Sequence, residues 1–159
     1  MNATQKSTKT TKARGKTYEG FTADERAAMK DRGQELKGTA RRGSRATTAA
    51  DEEADVLAKI AEMRDADRAM AERLHAVIKA SAPDLRPRLW YGMPGYAKDG
   101  DLICFFQPAQ KFKTRYATLG FSDKANLDEG SIWPNSYAVM EMTAAVEKKI
   151  VALLHQAMS

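Results

Sequence analysis

Four sets of side chains in this sequence have the types and spacing to do chemistry. In the first, Trp90, Tyr91, Met93 and Tyr96 fall within Trp90-Tyr91-Gly92-Met93-Pro94-Gly95-Tyr96, and Lys113 and Arg115 follow a short way downstream. Aromatic faces beside two cations suit a small ligand that is partly apolar and carries negative charge. The second set is acidic: Asp51, Glu52, Glu53 and Asp55 could hold a hard cation through carboxylate oxygens, or could complement the positive end of a helix. The third is basic. Lys12, Arg14 and Lys16, with Arg41, Arg42 and Arg45, could neutralise nucleic-acid phosphates without reading sequence, with only Tyr18 and Phe21 nearby for base stacking. The fourth is Cys104, whose neighbours Ile103 and Phe105 mark it as a buried thiol in a central strand, not a nucleophile.

No residue earns a catalytic role from spacing. Glu72 and His75 have the Glu-x-x-His spacing of carboxylate-bridged iron proteins, but those need two such motifs, so the pair is expected on a solvated helix face. His155 lies at the edge of a buried helical stripe. No Gly-x-Ser-x-Gly elbow, phosphate loop or dinucleotide fingerprint occurs, which argues against standard hydrolases and nucleotide enzymes.

The elements that position these residues follow from local signals. Thr22-Ala23-Asp24-Glu25 reads as a capping box that opens a helix over 23–36, with a thin apolar face of Ala28, Met29 and Leu36. A second helix begins near Asp51 with Leu57, Ile60 and Ala61 buried. A third runs from an Asp65 cap to about Ala80, with Met70, Leu74, Val77 and Ile78 at helical spacing. Pro83 and Pro87 end it. The period then changes: Arg88 to Tyr91 and Tyr96-Ala97 are extended, Asp99-Gly100 is a hairpin turn, and Leu102 to Phe106 is a strand apolar on both faces.

Beyond a turn at Pro108-Ala109-Gln110, a strand is expected over Phe112 to Phe121, with Lys111, Lys113 and Arg115 along one face. A short helix capped by Ser122 or Asp123 should end at Gly130, Trp133-Pro134 should form a corner, and Tyr137 to Met142 should be a strand. Thr143 then caps a last helix that buries Val146, Ile150, Leu153, Leu154 and Ala157. This order specifies an α+β domain with a mostly antiparallel sheet of about five strands against helices.

Charge divides the chain in two. The 159 residues carry a net charge of +5, but residues 1–50 hold 12 Lys/Arg against 5 Asp/Glu, a surplus of +7, and residues 51–159 are at −2. Residues 1–50 therefore read as a basic tail with one helix and a linker, and 51–159 as the folded domain. One cysteine and no apolar run of the ~18 residues that would span a bilayer favour a cytoplasmic protein without a membrane partner.

The motifs Trp90-Tyr91-Gly92-Met93-Pro94-Gly95-Tyr96, Cys104-Phe105-Phe106, Lys111-Phe112-Lys113-Thr114-Arg115-Tyr116-Ala117 and Leu119-Gly120-Phe121 together resemble the YdhG-like domain family of bacterial proteins of unknown function. The resemblance covers residues 54–158. It implies a small α+β domain and, for some members, a frataxin-like iron chaperone, with iron as the cargo. The nearest counterpart of the acidic ridge such a chaperone uses is Asp51, Glu52, Glu53 and Asp55, with Glu62. The expected function is a non-enzymatic binding domain, iron-chaperone-like by resemblance; the alternative is a nucleic-acid-associated protein that grips phosphates through its basic arm.

Overall fold

Helix starts are set by short-range capping. Thr48 Oγ1 accepts the Asp51 amide at 3.1 Å while the Asp51 carboxylate accepts the Thr48 amide, so both ends of a capping box are made. Thr22 and Glu25 make the same reciprocal pair. The computed structural model describes residues 22–41 and 48–159. Within them run α1 (Ala23–Arg41), α2 (Ala49–Glu62), α3 (Asp65–Ser81), β1 (Arg86–Trp90), β2 (Met93–Lys98), β3 (Asp101–Gln107), α4 (Ala109–Phe112), β4 (Ala117–Phe121), β5 (Ser136–Val139) and α5 (Ala144–Ala157). The fold is α+β. No helix among the described residues is long and apolar enough to cross a membrane.

The five strands form one meander, β1-β2-β3-β4-β5, antiparallel throughout. Two-residue turns close its first two hairpins, Tyr91-Gly92 (φ 48° and 73°) and Asp99-Gly100 (φ 52° and 86°). Positive φ at both central positions is the type I′ geometry that matches the twist of the flanking strands. Pro94 fits in β2 because the β2–β3 pairing begins only at Gly95, so its missing amide removes no ladder bond to β3.

Pairing Tyr96 with Cys104, Cys104 with Phe121, Phe106 with Leu119 and Ala117 with Val139 puts one continuous apolar surface on one sheet face. A bulge at Tyr96/Ala97 leaves Ile103 without an opposite residue, and Ile103 joins the same core. Val56 and Ile60 of α2, Ala71, Leu74 and Ile78 of α3, and Ile150 and Leu154 of α5 cover that surface. On the other face the Phe105 ring lies over Gly120, where a Cβ would overlap it.

Several local expectations are corrected. Residues 112–116 are not a strand: α4 occupies 109–112, Lys113 closes it in the left-handed region (φ 54°), and β4 begins at Ala117. The cause is Asp67 of α3, whose carboxylate accepts the Ala109 and Gln110 amides at 3.2 and 2.9 Å and fixes a helical turn there. No helix forms between Ser122 and Gly130, since the Asn126 amide goes to the Ala157 carbonyl at the end of α5 and Ala125 and Leu127 plug the core. Arg64, not Asp65, is the N-cap of α3. α1 continues to Arg41, and β5 stops at Val139.

Candidate functional site

Two places gather polar side chains, and they differ in access. The first is buried. His75, half-way along α3, directs Nε2 at the Glu53 carboxylate of α2 (3.0 Å) and Nδ1 at the Tyr96 hydroxyl of β2 (2.9 Å), and Lys79 one helical turn on reaches Glu53 at 2.5 Å. With the Nε2 hydrogen assigned to the carboxylate side, Nδ1 accepts the Tyr96 O–H. The expectation for His75 is thus reversed: Glu72 is exposed, while His75 is buried and bonded at both nitrogens.

Lys79 first, and His75 second, hold the Glu53 carboxyl below its ordinary range, and burial raises the Tyr96 hydroxyl. Burial also pushes the Cys104 thiol up to about 12. Cys104 and Tyr96 have no exposed surface. A protonated thiol sealed in the sheet is a packing group, as its neighbours in the sequence indicate.

The second place is an open cleft of about 570 Å³ between α1, the α2–α3 junction, the Tyr91-Gly92 turn and α4. The α2–α3 junction gives it Lys59, Glu62, Arg64 and Asp67, α4 gives Lys111, and α1 gives Asp31. Lys111 pairs with Asp31 at 2.7 Å and Lys59 with Glu62 at 3.5 Å. Asp67 is satisfied by the two α4 amides. Arg64 is exposed, with no ion-pair partner among the described residues. Among the described residues, no histidine, cysteine, serine or threonine lines the cleft.

Its upper wall is the β1–β2 turn. The Trp90 and Tyr91 rings meet edge to face at 4.6 Å, and the Arg32 guanidinium sits 5.7 and 5.6 Å from their centroids. The Gly92 amide donates to Glu35 at 2.7 Å. A Cβ on Gly92 would meet the Asp31 carboxylate and the Lys111 ammonium, flexible side-chain ends that would have to shift, and the left-handed φ of 73° is what favours glycine here.

The six ligand-site candidates do not form one pocket. Trp90 and Tyr91 are half-buried next to Gly92, which lines the cleft, and Met93 is buried. Tyr96, three residues along the strand from Met93, points to the opposite sheet face and into the Glu53–His75 chain. Lys113 is exposed and 3.8 Å from Asp24 of α1, and Arg115 stacks on Tyr116. The acidic candidates fan around α2 instead of converging. Asp51 is held in the capping box, Glu52 pairs with Arg86 at 2.5 Å, and Glu53 serves His75. Asp55 lies one helical turn beyond Asp51 on α2, and among the described residues no three His, Cys, Asp or Glu side chains are placed to hold a metal ion. Lys12, Arg14, Lys16, Arg42 and Arg45 lie outside the described residues, and Arg41 is the last residue of α1.

Sequence reasoning passed over Asp31, Arg32, Glu35, Lys59, Arg64 and Lys111 as a cleft. A signal was present in α1, where Asp24, Ala28, Asp31 and Glu35 recur on one side at helical spacing. No family model matches the chain, and no curated protein or solved structure matches it either.

Proposed function

We propose that this protein is a non-enzymatic binding module whose ligand is a small anion held in the cleft between α1, the α2–α3 junction and α4. The observation that carries the reading is the convergence of Lys59, Arg64 and Lys111 on one open cavity, with Arg64 in no ion pair among the described residues, beside the Gly92 turn that follows Trp90 and Tyr91. An exposed guanidinium with no carboxylate partner among the described residues is a ready contact for a phosphate or carboxylate oxygen. The buried thiol and the fully bonded His75 supply no reactive group to that cavity.

Membership of the YdhG-like family belongs to the same proposal and rests on the order of the four motifs. An iron-chaperone role is the less favoured version, because Asp51, Glu52 and Glu53 already have partners that iron would have to displace. A cytoplasmic setting is supported by the single free cysteine.

Calorimetric titration of the full chain with inorganic pyrophosphate tests the reading. A saturable heat that is lost in Arg64→Ala and weakened in Lys59→Ala is expected; no heat, or heat untouched by both substitutions, would overturn it.

A further inference from the structure

We infer that α1 is a built-in competitor for the cleft, and that the ligand it imitates is a nucleoside phosphate, either free or as one unit of a single strand. The inference rests on the anion-binding reading above and goes further by naming the ligand class and the element that opposes it.

α1 is packed the wrong way round for a helix held by burial. Met29 and Leu36 are 45% and 56% exposed, and among the described side chains of α1 Ala28 is the one buried apolar residue. The side turned inward is charged: the Glu35 and Asp31 side chains are only 13% and 22% exposed, and Arg32 is half-buried with them. A helix that docks through hydrophobic burial shows the opposite arrangement. Polar partners on the domain must therefore hold α1 in place.

Those partners define what the surface recognises. One α1 carboxylate, Asp31, occupies the Lys111 ammonium, and another, Glu35, takes the Gly92 amide. A third, Asp24, lies 3.8 Å from Lys113. Between them the flat guanidinium of Arg32 fills the corner made by the perpendicular Trp90 and Tyr91 rings. Carboxylates on an ammonium and a turn amide stand where phosphate oxygens would bind. A planar cation set against two aromatic rings stands where a base would bind, since a base stacks on an aromatic face whatever its sequence.

Charge favours the exchange. With α1 lifted, the surface keeps Lys59, Arg64 and Lys111 against Glu62 and an Asp67 already bonded to two amides. It then changes from a balanced cleft to a cationic one. Only six residues, 42–47, join α1 to Thr48, so a displaced α1 stays tethered and can return.

The test uses the full chain and a paired variant, Asp31→Asn with Glu35→Gln, which removes both imitating charges and leaves the helical core untouched. Adenosine monophosphate, a ten-nucleotide single strand of deoxyadenosine and inorganic pyrophosphate are titrated against each, with Trp133→Phe as background so that Trp90 fluorescence reports the corner. At least tenfold tighter binding of the mononucleotide or the single strand to the variant, with a Trp90 signal, is expected; preference for one probe over the other identifies the source. Pyrophosphate binding to both proteins with no gain for the nucleoside probes in the variant would overturn the competitor while leaving the anion cleft standing. Equal gains for pyrophosphate and mononucleotide, without a Trp90 signal, would overturn the nucleoside assignment. Absence of binding by any probe to either protein would sink both readings.

Discussion

Two polar assemblies, one inside the core and one outside it, use much the same residue types to opposite ends. The Glu53–His75–Tyr96 chain joins α2, α3 and β2 inside the core, with His75 and Tyr96 out of water and each His75 nitrogen bonded. The α1 contacts to Lys111, Gly92 and the Trp90-Tyr91 corner are half-exposed and lie outside the apolar core. A buried chain that loses one member leaves its neighbours unbonded, so it behaves as a permanent staple. A half-exposed ion pair exchanges its partner for water at little cost, so it behaves as a releasable fastening. The contrast, more than the residue types, separates scaffold from site.

The largest expected effect breaks the staple. His75→Ala removes the partner of the Tyr96 hydroxyl and one of Glu53's partners and opens a cavity, and should cost about 3 kcal/mol of unfolding free energy. Denaturant unfolding should show it. A cost within about 0.5 kcal/mol of the parent, the scale of ordinary surface changes, would mean that the chain is incidental to stability.

Next in size, Gly92→Ala tests the fastening. The left-handed backbone at φ 73° costs a side chain about 1–2 kcal/mol, and the added methyl meets Asp31 and Lys111. Limited proteolysis should cut α1 of the variant faster than that of the parent, while α3 and α5 stay protected. Equal cleavage rates would show that α1 does not depend on the turn.

The smallest effect concerns pH. Lys79 and then His75 hold the Glu53 carboxyl below its ordinary value of about 4.3. A depressed carboxyl stabilises the fold fully above its unfolded value, and the contribution disappears as pH falls through the lower folded value. Glu53 is partly exposed, so solvent screening keeps the effect small. Between pH 6 and pH 3 the parent should therefore lose slightly more stability than Glu53→Gln; parallel losses would refute the linkage.

What the sequence made legible was local. The Thr22–Glu25 box, the Asp99-Gly100 turn and the Thr143 cap of α5 each depend on residues within a few positions, and each is found. The α+β class followed from the same signals. The site was harder because its determinants are distant. The alternation of Lys111, Lys113 and Arg115 imitates a strand, yet Asp67, more than forty residues earlier, supplies the acceptors that wind α4. His75 gives no local sign of burial, because its partners lie 22 residues before it and 21 after. In α1, a charged stripe reads as a solvated face until the ammonium, amide and rings that receive it are in view.

Amide hydrogen exchange of the full chain at low and high salt tests the central claim most directly, that charge and not burial holds α1 on the cleft. Screening shortens the reach of charges from about 30 Å at 0.01 M salt to about 3 Å at 1 M. Exchange in α1 and at the Gly92 amide should quicken strongly across that range while α3 and the β2–β3 amides do not change. Salt-independent protection of α1, rising and falling with that of α3, would contradict the account.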